Sequence, residues 1–194
     1  VGVGRPPKGT CGDSGAGGAG GGGGNPPPGS STGSGGSSPP IEVVCSSSRH
    51  WMMGENNPSP GGGKLDKKGP WMNPGLACIA CHQNAGDDGP IVRLGGTVYP
   101  TLHEPDLCYG VDGATTTAHV VVSDANGQTF TLPIQRTGNF SLPIGAGNVV
   151  FPITAKVVAN GAERKMFTPQ MTGDCNGCHT EQGKNGAPGR IYLP

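Results

Sequence analysis

The stretch Ala118-His119-Val120-Val121-Val122-Ser123-Asp124-Ala125-Asn126-Gly127-Gln128-Thr129-Phe130-Thr131-Leu132-Pro133-Ile134 decides the fold class. Two β-rich runs, 118–123 and 128–134, flank Asn126-Gly127, the strongest short hairpin signal, because both residues tolerate the positive φ of a tight turn. Working outward, runs of the same kind occur at 91–99, 139–144, 153–159 and 162–167, the last two joined by a second Asn-Gly pair, Asn160-Gly161. Short strands at this spacing predict a small antiparallel β-sandwich over residues 91–170.

The flanks read differently. Residues 1–40 hold 16 Gly, 7 Pro and 6 Ser, with almost nothing to bury. Alone such a segment has no core, so an ordered arm is expected to lie extended on another surface, either a neighbouring subunit or its own domain. Residues 41–90 and 171–194 are loop-like, and helix signals are nearly absent from the first of them. The expected fold is therefore mainly β with extensive irregular structure: a sandwich flanked by two loop-rich segments and a Gly/Pro-rich N-terminal arm.

Both loop-rich segments carry the same chemistry. Cys78-Ile79-Ala80-Cys81-His82 and Cys175-Asn176-Gly177-Cys178-His179 are two copies of the C-x-x-C-H pattern of c-type haem attachment. Two thiols three residues apart match the spacing of the two haem vinyl groups, and the adjoining His is placed to ligate iron. The expected cofactors are two haem c groups, held covalently by Cys78, Cys81, Cys175 and Cys178, with His82 and His179 as axial ligands. A shared Cys₄ zinc site is disfavoured. Between Cys81 and Cys175 lie 93 residues, far beyond the roughly 15–20 of a zinc ribbon, and zinc gives no reason for the two histidines. A thioredoxin-like site would need a helix after the C-x-x-C, where Gln83 to Pro90 reads as loop.

On these motifs the chain resembles the exported, multihaem c-type cytochromes, some of which polymerise into extracellular conducting filaments. The run Val120 to Thr129 with Thr137-Gly138-Asn139-Phe140 resembles the carboxypeptidase-regulatory-like, transthyretin-type β domains, which implies a scaffold module without catalysis of its own. The resemblance implies electron transfer rather than enzymatic turnover, in a homo-oligomer or filament at the cell surface or outside the cell. Its partners would be redox proteins or extracellular electron acceptors. The alternatives are a monomeric periplasmic shuttle, a dihaem peroxidase-type enzyme and a structural β-module polymer. Val1-Gly2-Val3-Gly4 has no signal-peptide pattern, so an exported protein would be in its mature form.

Each haem iron leaves a distal position to fill. His103, between Pro100 and Pro105 in a segment expected to be stiff and extended, is the first candidate, with Glu104 or a carbonyl to orient its ring. His50, beside Trp51, Met52 and Met53, is the second. His119, on the solvent side of its strand if Val120 and Val122 point inward, is the third. Met72, Met166 and Met171 are the runner-up ligands, with packing against the porphyrin as their simpler role. Cys11, Cys45 and Cys108 remain. The exported location that the resemblance implies permits one disulfide, for which Cys45–Cys108 is the preferred pairing, and one thiol is left over.

Other classes are excluded on composition. Net charge is zero, from 13 basic and 13 acidic residues, and no basic stripe with interleaved aromatics is present, so nucleic acid is not an expected partner. No apolar run approaches a membrane span. The Gly-rich runs lack the flanking strand and Lys-Ser/Thr of a phosphate loop. Asp87-Asp88 and Glu104/Asp106 read as solvated turns, and Lys64, Lys67 and Lys68 as a small basic surface patch.

Overall fold

The computed structural model describes residues 43–51, 72–84, 90–106 and 108–194. The arm at 1–40, Cys11, Met52, Met53, the three lysines at 64–68 and Asp87-Asp88 lie outside the described residues. Among the described residues there are seven strands: β1 (Val92–Tyr99), β2 (His119–Ser123), β3 (Thr129–Pro133), β4 (Asn139–Pro143), β5 (Thr154–Ala159), β6 (Ala162–Lys165) and β7 (Ile191–Tyr192). They form two sheets, ordered β4-β1-β7 and β3-β2-β5-β6. All pairings are antiparallel except that of β7, which joins β1 in parallel through Val98↔Ile191 and Tyr99↔Tyr192.

The first six strands fall within two residues of the runs read from sequence. The β5–β6 turn uses the expected chemistry, with Asn160 and Gly161 at φ +50° and +81°, whereas in the longer β2–β3 connection Gly127 (φ +77°) but not Asn126 takes a positive φ. Buried Asp124 reinforces the β2–β3 turn, its carboxylate accepting from Asn126 N (2.9 Å), Gln128 N (2.8 Å) and Val150 N (3.2 Å).

The core lies between the sheets. Leu94, Val98, Phe140 and Leu142 of the first sheet share one buried cluster with Val120, Val122, Phe130, Leu132 and Val157 of the second. Because side chains alternate along a strand, Leu94, Gly96 and Val98 of β1 face this core, while Gly95, Thr97 and Tyr99 face the other way. That second face is also buried. The segment from Met72 onward covers it, which explains why β1 reads as a continuous apolar run rather than an alternating one.

Two sequence expectations are corrected. A helix, α1 (Cys78–Asn84), runs through the first C-x-x-C-H segment, where helix signals were nearly absent. The turn at 100–103 replaces the extended segment expected around His103. The Cys45–Cys108 disulfide is present, with Cα atoms 5.5 Å apart, and ties residues 43–51 to the loop after β1.

Candidate cofactor site

The two C-x-x-C-H segments are brought together on a single strand. A Cβ added at Gly95 would lie 2.9 Å from Cys78 Cβ, and one added at Gly96 would lie 2.9 Å from Cys175 Cβ. Adjacent residues of a strand present opposite faces. Cys78 therefore packs against the outer face of β1 and Cys175 against the inner one, and only two side-chain-free positions in sequence allow both approaches.

Polar side chains then tie the segments to each other. Asp174 precedes the second motif, and its Oδ2 accepts from Ile79 N and Ala80 N, both at 3.1 Å, at the start of α1. A carboxylate there satisfies amides that no helix can satisfy internally and complements the helix dipole. Asn176, inside the second motif, is buried: its Nδ2 donates to Leu76 O (2.9 Å) and Thr97 Oγ1 (2.9 Å), and its Oδ1 accepts from Thr97 N (3.0 Å). The second motif docks on the edge of β1 through Gly95 N donating to Gly173 O at 2.9 Å. Gly173 is required there, since a Cβ would sit 2.1 Å from Arg93 O.

In the first motif, burial pushes the Cys78 thiol up to about 12, with the nearby Asp174 and Cys175 adding to the shift. His82 is half-buried, and its Nδ1 is buried without a hydrogen-bond partner among the described residues. Cys81 is held in a disulfide.

The second motif is arranged differently. Cys175–Gly177 form a 3₁₀ turn, and Cys175 and Cys178 are free thiols. Burial, then Asp174, pushes the Cys175 thiol up to about 12, so it stays protonated and slow to oxidise. His179 Nδ1 lies 2.8 Å from Gly189 O. A carbonyl only accepts, so Nδ1 carries the proton and Nε2 is the nitrogen with a free lone pair. Desolvation lowers the His179 pKa, against the opposing effect of the Gly189 bond, and so favours the neutral imidazole that a metal requires. The Gly189–Arg190 peptide is held by Arg190 N, which donates to Leu102 O at 2.7 Å, and Arg190 is itself anchored. Its side chain is fully buried, donates to Glu104 O (3.0 Å), pairs with Asp106 and lies 4.8 Å over the Tyr99 ring.

Cys175, Cys178 and His179 line one side of a groove of about 310 Å³. The rest of its wall is largely apolar and comes from the inner faces of the two sheets (Val120, Val157 and Met166 of the second, Phe140 of the first) and from the C-terminal segment, including Ile191. The residues of the first motif do not line it.

The distal candidates are placed elsewhere. His103 is exposed, with Nδ1 2.8 Å from Glu181 O, so a carbonyl and not Glu104 orients its ring. Glu104 itself is fully buried rather than solvated, because its carboxylate accepts from Ser46 N (2.6 Å) and Thr101 Oγ1 (2.7 Å). His50 is exposed, with Nδ1 3.3 Å from Cys45 Sγ in the disulfide. His119 is half-buried on the outer face of β2. None of the three lines the groove, whereas Met166 does.

No family model matches the chain, and no curated protein or solved structure matches it. The site therefore stands on its geometry. Asp174, Asn176, Gly95, Gly96 and the Gly189 carbonyl escape a reading by motif, since each acts on a residue distant in sequence or through its backbone. The one available signal was the Gly-Gly pair inside a β-rich run, which marks a close approach to the backbone.

Proposed function

We propose that this protein is an electron carrier that holds haem covalently at its two C-x-x-C-H segments. One observation carries the reading: the thiols of Cys175 and Cys178 and the imidazole of His179 line the same apolar groove, with His179 Nδ1 spent on a backbone carbonyl. Each thiol would add across a vinyl double bond, sulfur to one carbon and hydrogen to the other, so no oxidant is consumed. The bound haem supplies one-electron redox chemistry. His179 Nε2 would hold the iron, the Gly189 carbonyl keeps that ring in one tautomer and orientation, and the apolar wall keeps water away.

A groove of this size is at the small end of ligand pockets, roughly 300–1,000 Å³, so part of the haem would stand outside it. Phe167, 95% exposed and lining the groove, would cover that part. Carrier rather than enzyme is favoured because Asp174 is the one carboxylate among the described residues lining the groove, and its Oδ2 is already engaged at α1. At the first motif, Cys81 must be reduced before it can react. The Cys45–Cys108 disulfide supports a working place outside the cytoplasm.

The test is a pyridine haemochrome assay on purified protein after acid-acetone extraction. Two covalently held haems per chain are expected. None would overturn the reading.

A further inference from the structure

We infer that Met166, which lines the same groove as His179, would supply a thioether to the iron of a haem held there. This rests on the carrier reading above and names the second ligand of that same site. The strand register places the side chain. In β5 and β6, Val157 pairs with Arg164 and Lys156 with Lys165, and Met166 N donates to Ala155 O at 2.8 Å, which extends the ladder and sets Met166 opposite Ala155. Ala155 and Val157 in turn pair with Val122 and Val120 of β2, whose side chains are buried in the core. Residues directly opposite each other in a sheet share a face. Met166 therefore belongs to the inner face with Val120 and Val157, the wall that looks onto Cys175, Cys178 and His179. It is half-buried and lines the groove.

The competing ligands are spatially removed. His119 pairs with Val158 and falls on the outer face, His103 is turned to Glu181 O, and His50 sits at the Cys45–Cys108 disulfide. Met171 is 73% exposed and does not line the groove. Met72 lies on the other side of β1, its carbonyl accepting from Asn139 Nδ2 at 2.8 Å. A neutral, polarisable thioether on iron favours the reduced state and raises the potential relative to a second imidazole.

The experiment reads the ferric absorption spectrum of the holoprotein in the far red, where a thioether-to-iron charge-transfer band marks Met ligation. The unsubstituted protein should show the band. Met166→Leu, nearly equal in volume, should lose it while the covalent haem count stays at two, and the midpoint potential of one haem should fall. Met166→His should give a low-spin spectrum without the band, and Met171→Leu should keep it. Two haems with no band in the unsubstituted protein, or a band that survives Met166→Leu, overturns the ligand assignment and leaves the carrier reading standing. Absence of covalent haem overturns both.

Discussion

The two C-x-x-C-H segments carry the same five-residue pattern on the same strand, yet their surroundings prepare them for different chemistry. In the second, both thiols are free, and the His ring is fixed by a carbonyl at the edge of an open groove. In the first, the second thiol is oxidised and the His Nδ1 has no partner among the described residues, while the leading thiol of each motif is buried against β1. The motif specifies which atoms are present. The packing around it specifies which can react.

The largest effect expected from this contrast is on loading. Cys175→Ala with Cys178→Ala should leave one covalent haem per chain, as should Cys78→Ala with Cys81→Ala. When the haem-free protein is reconstituted without a reductant, the second segment should load alone, and a thiol reductant should raise the count from one to two. Equal loading without reductant would remove the proposed difference between the segments.

Next come the two glycines. Gly96→Ala would put a methyl group 2.7 Å from Phe140 Cζ and 2.9 Å from Cys175 Cβ, an overpacking expected to cost about 1–3 kcal/mol in urea unfolding. Gly95→Ala should disturb Cys78 instead, so alkylation of that thiol in the native protein should quicken. If Gly95→Ala quickened Cys175 and left Cys78 unchanged, the assignment of one motif to each face would be wrong.

A smaller loss is expected for Asp174→Asn, which removes the charge that caps α1 from the other motif. The cost should be about 1 kcal/mol, with faster hydrogen exchange at the Ile79 and Ala80 amides. Unchanged exchange at both would mean that the second motif does not order the first.

The smallest effect is on pH dependence. Cys78 and Cys175 are raised from 9.0 to about 12 in the folded chain, and burial also raises Tyr99. Groups raised on folding contribute stability that is complete below their unfolded values and lost as pH climbs toward the folded ones. The haem-free protein should hold its stability to about pH 9 and then lose up to roughly tenfold in the folding equilibrium per pH unit for each such group. Cys78→Ala with Cys175→Ala should flatten that loss, and an unaltered profile would show that neither thiol is desolvated by the fold.

Six strands were legible because their signals are local: β-rich runs separated by turn residues, with Asn-Gly at two joints. β7 was not, since its two residues gain strand geometry only from pairing with β1, more than ninety positions earlier in the chain. α1 was hidden for a related reason, its first turn being satisfied by Asp174 rather than by a neighbouring Ser, Thr or Asp. Glu104 reads as a turn carboxylate, and its burial depends on Ser46, 58 residues away. In the candidate site the reactive residues were visible in the motif, but the groove was not, because it is assembled from β2, β4, β5, β6 and the C-terminal segment. That assembly is what separates Met166 from the three histidines, a distinction with no counterpart in local sequence.

The outermost strand of the second sheet, β6, reads Ala162-Glu163-Arg164-Lys165 and is exposed throughout. Its outer edge, unpaired among the described residues, is a template for strand addition, the route by which β proteins aggregate, and charged side chains on such an edge disfavour it. Glu163 is held between Lys156 and Lys165, the latter at 3.2 Å, so both signs of charge meet any incoming backbone. Edge-to-edge growth of the sheet is thereby discouraged at high protein concentration. Copies of this chain brought close together would keep their sheets separate on that side, and the groove beside β6 would remain open.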